Sequence, residues 1–181
     1  SLMINLGGGV VTDLGGFAAT TFKRGIRFIN VPTTLLSAVD AAVGGKTGIN
    51  FNGLKNEIGA FREADAVLIA TAFLKTLPEN EIKSGYAEML KHGLLSNYKS
   101  YRKLIEYNIS ELSEDRLLTL LEESVGVKRN IVEQDPFEKG LRKALNLGHT
   151  AGHAFESMAL KNGKPIPHGY AVAWGLIVEM I

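Results

Sequence analysis

Leu2-Met-Ile-Asn-Leu6-Gly7-Gly8-Gly9-Val10-Val11-Thr12-Asp13-Leu14-Gly15-Gly16 is the stretch whose reading decides the fold. Leu2 to Leu6 reads as a short buried strand, the glycines as a turn, and Val10 to Phe22 as a helix. Strand, glycine turn and helix in that order make an α/β unit. Glycines at such a turn let backbone amides approach a pyrophosphate, whose charge the helix N-terminus favours. The pattern is not a full G-x-G-x-x-G, because Thr12 stands at the third glycine position. Taken alone it is equally well a tight strand-to-helix turn. Asp13 suits a ribose hydroxyl or an amide better than a phosphate.

Outward from this unit, Phe28 to Val31 and Ala66 to Ala70 are the other strand candidates. From Phe73 onward the strand pattern is lost. Leu77-Pro78-Glu79-Asn80-Glu81 reads as a helix start, with proline and acids in the first turn, running on through Tyr86, Leu90 and Leu94. Leu117, Leu118, Leu121, Val125, Ile131 and Val132 form an apolar stripe of helical period, which Ser110 or Ser113 could cap. The expected organisation is therefore an α/β part over 1–72 and an all-helical part over 73–181. Both ends read as cut, the first strand lacking a partner before it and the last apolar helix, Gly169 to Ile181, stopping without an exit.

Composition excludes several classes. A net charge of +1 with dispersed Lys and Arg gives no electrostatic case for nucleic acid. No cysteine is present, which removes disulfides, thiolate metal sites and cysteine nucleophiles. No apolar run reaches the length of a membrane span. A cytoplasmic protein with no membrane partner is the expectation.

The chemistry concentrates in a few clusters. Arg142-Lys-Ala-Leu-Asn146-Leu-Gly-His149-Thr-Ala-Gly-His153-Ala-Phe-Glu156 packs two imidazoles, a carboxylate, an amide and a guanidinium into a mostly helical run. His149 and His153, four apart, share a helix face among small residues that leave room for a ligand. Asp40-Ala-Ala-Val-Gly44-Gly45-Lys46-Thr-Gly48, followed by Lys55-Asn56, places an acid and lysines around a glycine turn. Such lysines act as point charges for phosphate. Thr33-Thr34 after the second strand offers hydroxyls either to a nucleotide or to a helix cap. Glu88, Lys91 and His92 have the spacing of a surface salt bridge, against which stands their apolar setting of Tyr86, Ala87, Met89 and Leu90. Lys128-Arg129 and the acidic turn Glu133 to Glu138 read alone as a solvated face. His168 is a lone imidazole on a proline-stiffened loop. Glu88, His149 and either His153 or His168 supply one oxygen and two nitrogen ligands, the open three-ligand set of a catalytic zinc.

The runs Gly7-Gly-Gly-Val-Val-Thr-Asp13, Arg24 to Asp40, Val43 to Asn50, Lys55 to Phe61, Gly85-Tyr-Ala-Glu-Met-Leu-Lys-His-Gly93 and Leu141 to Glu156 together resemble the 3-dehydroquinate synthase family of sugar phosphate cyclases. The resemblance covers essentially the whole chain in order. It implies an α/β remnant of a nucleotide-binding domain followed by a truncated helical metal- and substrate-binding domain. By this resemblance the metal ligands, for zinc or cobalt, are Glu88, His149 and His168, with His153 a substrate-site histidine. NAD contacts fall on Gly8, Gly9, Val10, Val11, Thr12, Asp13, Thr33, Thr34, Lys46, Lys55 and the segment Phe73-Leu74-Lys75-Thr76. Substrate contacts fall on Arg24, Asp40, Lys46, Asn56, Lys91, Lys128, Arg142 and Asn146. Ala41-Ala42 departs from the family's usual serine pair.

The implied reaction closes 3-deoxy-arabino-heptulosonate 7-phosphate to 3-dehydroquinate with loss of phosphate, in aromatic amino-acid biosynthesis, within a homodimeric parent. Rival readings are a sister sugar-phosphate cyclase, a metal-dependent polyol dehydrogenase and a folded fragment without activity. Arg142 and Asn146, expected on a substrate carboxylate, favour the first reaction over its sisters. The anion-binding lysines disfavour the dehydrogenase.

Overall fold

The computed structural model describes residues 1–52, 54–109 and 113–181, with the side chains of Leu54 and Lys55 outside the description. The Lys55 and Ser110 expectations therefore lie outside the described residues. The chain runs β1 (Leu2–Gly7), α1 (Gly9–Thr21), β2 (Arg27–Pro32), β3 (Lys46–Phe51), β4 (Leu54–Phe61), β5 (Ala66–Val67), α2 (Glu79–Ser96), α3 (Tyr98–Glu106), α4 (Glu114–Gln134), α5 (His149–Lys161) and α6 (His168–Glu179). The order β1-β2-β5 is parallel, with Leu2 opposite Arg27 and Ile29 opposite Ala66. Asn5 and Asn30 share a buried amide hydrogen bond of 2.9 Å between the first two strands.

The opening strand is not buried on both sides. Asn5 is enclosed, but Leu2, Ile4 and Leu6 are more than half exposed, because β1 is a sheet edge with helix packing against one face. The third strand is shorter than its apolar run, since the chain bends into a 3-10 turn at Thr71–Thr76. A hairpin, β3 with β4, was not among the expected strands. Its signal was present: Asn52-Gly53 between two runs that each carry alternating apolar residues is a strong short-range hairpin cue. Asn52 adopts a left-handed backbone, φ +50°, as such turns ask.

Among the described residues no strand follows Val67. The core joins Leu35, Ala38 and Val39, which follow β2, to Leu74, Tyr86 and Met89 and to Leu104, Leu117, Leu120 and Leu121. Helix α4 starts after Ser113, but that serine's hydroxyl makes no cap bond. Two glycines set the helix crossings. A Cβ on Gly169 would fall 1.9 Å from the Ser84 carbonyl oxygen, and one on Gly175 would fall 1.9 Å from that of Gly148. Only hydrogen fits there, so α6 lies directly on α2 and α5. No described helix is long and apolar enough to cross a membrane.

Candidate metal centre and anion cleft

Helix α2 carries Glu88, α5 begins at His149, and α6 begins at His168. The close crossings bring the three together. Glu88 Oε1 lies 3.5 Å from His149 Nε2 and 3.8 Å from His168 Nε2. Glu88 is 0% exposed, and among the described residues Oε1 accepts no hydrogen bond. A buried carboxylate oxygen facing two imidazole nitrogens without a donor is costly by itself and is what a cation would satisfy. One oxygen and two nitrogens suit zinc or cobalt with an open position. The residues present fit the group. Burial, together with the nearby Lys91 charge, holds His149 below its ordinary pKa, which keeps the ring neutral as a ligand must be.

Of the two third-ligand candidates, His168 faces Glu88. His153 sits more exposed, its Nε2 3.9 Å from Glu156 Oε2. Glu156 Oε1 is 3.1 Å from His168 Nδ1. Lys91 is buried and pairs with Glu88 Oε2, so the surface salt-bridge reading of that helix fails: Glu88, Lys91 and His92 are all enclosed. His92 Nδ1 meets Ser124 Oγ at 2.8 Å, and burial, then Lys91, pushes its pKa down to about 3. The carboxylate of Glu179 accepts from the amides of Gly148 and Ala151, fixing the start of α5.

A cleft of about 490 Å³ is lined by Asp13, Asp40, Lys46, Asn56, Lys128 and Arg142 among others, with Glu138. Asp40 sits on a π-helical turn, Ser37–Ala41. Lys128 Nζ donates to its carboxylate at 2.5 Å and to its carbonyl at 2.6 Å. Partial burial works against the Asp40 charge, but Lys128 and Lys91 win and hold its carboxyl well below the usual range. Arg142, buried, donates to the carbonyls of Gly44 (2.6 Å) and Pro136 (2.7 Å). Burial lowers its pKa, yet carbonyls orient a guanidinium without neutralising it. Lys128 and Glu138 thus leave the solvated face, whereas Arg129 and Glu133 remain exposed and pair with each other as that reading expects.

Glu138 was missed for the same reason. It pairs with Lys46 and accepts from Asn146 Nδ2 at 2.9 Å, and its backbone is left-handed, φ +55°. Asn56 shares that conformation. A non-glycine residue held there is uncommon and persists only where its surroundings over-determine it, and the sequence carries no sign of it.

At the glycine turn, a Cβ on Gly8 would meet the Thr34 methyl at 3.2 Å and one on Gly9 would meet Ala41 at 3.2 Å. Thr33 N donates to Gly7 O at 2.9 Å. The turn, Thr33 and Thr34 therefore converge, and α1 starts without a side-chain cap, leaving its first amides for an anion. Val10 and Val11 are exposed there. Thr12 is not: it is buried with its hydroxyl on Gly9 O. Thr34 also performs the capping role, accepting from Ser37 N at 3.2 Å. In the Phe73–Thr76 segment, Leu74 is spent in the core and Lys75 pairs with Glu114. Arg24, exposed with φ +64°, follows the far end of α1 and does not line the cleft.

A parallel βαβ unit with a glycine turn, feeding helices that present a buried carboxylate and two imidazoles beside a cleft lined by acids and bases alike, points to the sugar phosphate cyclase class. The 3-dehydroquinate synthase N-terminal family model matches residues 1–84 and the C-terminal model residues 85–181, so the chain belongs to the 3-dehydroquinate synthase family. It is 57% identical over 180 residues to the 3-dehydroquinate synthase of Parabacteroides distasonis, covering 99% of this chain and 51% of that protein. The chain spans about half the length of the curated relatives it matches. Among solved structures it is similar to 2-deoxy-scyllo-inosose synthase complexed with carbaglucose-6-phosphate, NAD+ and Co2+ (TM-score 0.85, 30% identity, 96% of this chain and 48% of that one). It is also similar to the 2-epi-5-epi-valiolone synthase of Streptomyces hygroscopicus with NAD+ and Zn2+ bound (TM-score 0.76, 29% identity, 96% and 48%).

Proposed function

We propose that the protein to which this chain belongs converts 3-deoxy-arabino-heptulosonate 7-phosphate to 3-dehydroquinate and phosphate in the cytoplasm. The observation that carries the reading is the orphaned Glu88 oxygen facing His149 and His168, beside a cleft lined by Lys46, Lys128 and Arg142. Residues 1–72 then hold NAD at the Gly8–Gly9 turn, and 73–181 supply metal ligands and substrate contacts. When bound, the metal supplies Lewis-acid polarisation of substrate hydroxyls, and NAD supplies a hydride acceptor that is regenerated within the cycle.

The chain's own groups do the remainder. Lys46 and Lys128, each poised by a carboxylate, and Lys91 grip the phosphate and hydroxyl oxygens of a multiply anionic substrate. Arg142 and Asn146 suit the planar carboxylate. Asp40 orients a hydroxyl in the cleft that Asn56 also lines. His153, partly exposed near the metal centre, carries a proton to or from a substrate hydroxyl. The closing aldol is internal to the ring-opened enol, and holding its two reacting ends in line raises their effective molarity.

Arg24 lies outside this chain's own cleft, and the homodimeric parent is proposed on family membership alone. The half-length span supports the further reading that these 181 residues alone do not turn over. The test is phosphate release from the heptulosonate phosphate, with NAD and zinc or cobalt supplied, by a protein of the relatives' full length and by this chain. The longer protein should release phosphate without net reduction of NAD. Accumulating reduced cofactor would overturn the reading in favour of a dehydrogenase, and comparable turnover by this chain would overturn its inactivity.

A further inference from the structure

We propose that Glu156 is a positioning residue that fixes the tautomer and orientation of His168, so that its Nε2 lone pair is presented to the site of Glu88. The proposal rests on the metal-centre reading above. A neutral imidazole has one donor and one acceptor nitrogen, and what faces one nitrogen decides the role of the other. Glu156 Oε1 stands 3.1 Å from His168 Nδ1. An ionised carboxylate can only accept, so Nδ1 carries the proton and Nε2 is left as the acceptor, directed at Glu88 Oε1 3.8 Å away.

His149 is held by the same logic with a different group. Its Nδ1 lies 3.2 Å from the Leu147 carbonyl oxygen, and its Nε2 faces Glu88 Oε1. Both rings thus have an acceptor behind them and the same carboxylate in front. The two acceptors differ because the backbones differ. His149 opens α5 directly after the carbonyl it uses, whereas His168 enters from the Pro165–Pro167 loop and takes its acceptor from another helix. A side chain must therefore do for His168 what the local backbone does for His149. The other oxygen of Glu156 lies toward His153, so one carboxylate orients rings from two segments.

A rival assignment exists on the same atoms: His153, Glu156 and His168 could themselves hold a cation, with Glu156 a direct ligand. The experiment separates the two. Long-range proton–nitrogen correlation spectra of the histidine side chains are recorded on the metal-free chain, its E156Q and its E156A variants. Cobalt titrations followed by visible absorption are run on the same three proteins and on H168A.

The expected result is an Nδ1–H tautomer for His168 in the wild type, retained in E156Q, whose amide oxygen still accepts, and lost in E156A. His149 should be unmoved throughout. Cobalt affinity should fall about 10–100-fold in E156A, the usual cost of losing an outer partner, and less in E156Q. A His168 tautomer that E156A leaves unchanged, or cobalt affinity equal in all three, would overturn the proposal. Loss of cobalt binding in E156Q as complete as in H168A, whose histidine belongs to either site, would overturn it in favour of direct ligation. If the wild type binds no cobalt while the tautomer responds as expected, the metal reading fails and the orienting role of Glu156 stands.

Discussion

Replacing Gly169 by alanine adds one methyl group where helix α6 crosses α2. The new Cβ would lie 1.9 Å from the Ser84 carbonyl oxygen and 2.5 Å from that residue's carbonyl carbon and Cα. These are backbone atoms inside a helix and cannot rotate away. Restoring a contact of about 3.5 Å requires the two helices to part by about 1.5 Å. Overpacking of this kind costs about 1–3 kcal/mol. The shift also breaks the 2.9 Å bond from Gly169 N to Ser84 Oγ, for about 0.5–1.5 kcal/mol. Alanine's helix propensity returns at most about 1 kcal/mol, so destabilisation wins, by about 1–3 kcal/mol net. His168 is the neighbouring residue and moves with the helix. Ligand atoms tolerate about 0.2 Å, so cobalt affinity should fall by more than about 100-fold. Urea unfolding and cobalt titration of G169A read the two effects. Gly126→Ala is the control: nothing lies within 4 Å of its Cβ, so the same change in the middle of α4 should stabilise by about 0.5–1 kcal/mol. A G169A protein with unchanged urea midpoint and unchanged cobalt affinity would refute the reasoning that this crossing positions the centre.

Lys128→Met leaves the Asp40 carboxylate without its main partner and should destabilise by about 1–3 kcal/mol, while K128M with D40N should recover most of that, as a double-mutant cycle by urea unfolding would show. Stability should fall with acid in two stages. Burial holds the folded His92 near 3 against an ordinary 6.5, so the unfolded chain takes up that proton first and stability is lost as pH falls from about 6.5, by up to about 1.4 kcal/mol per pH unit. Below the ordinary 3.8 of an aspartate, Asp40, whose folded pKa is depressed, adds a further loss. Urea midpoints from pH 7 to 3 for wild type and H92Q check this; an unchanged slope in the variant would sink the His92 assignment.

The α/β opening and the helical remainder were legible because each rests on local pattern: β1, α1 and β2 came out within a residue or two of their runs, and α2 began at its proline and acids. The hairpin was legible too, in Asn52-Gly53 between the two runs that carry Lys46 and Asn56. What sequence could not supply is burial of charge. Glu88 and Lys91 carry the spacing of an exposed salt bridge and Lys128 stands in a charged run, and only the packing of α4 and α6 against α2 and of α4 against the Asp40 turn encloses them. Glu138 escaped because an acidic turn looks solvated until Lys46 and Asn146 are brought to it from either side. The choice between His153 and His168 was likewise undecidable from helix spacing, which favours the i+4 partner, and turned on α6 folding back over α5.

The metal centre is tested most directly by a structure of this chain loaded with zinc. One ion should be found with Glu88 Oε1, His149 Nε2 and His168 Nε2 each about 2.0–2.2 Å away, His153 outside that shell, and Glu156 still on His168 Nδ1. An ion held instead by His153, Glu156 and His168, or a Glu88 carboxylate that stays out of reach of any bound metal, would contradict that assignment.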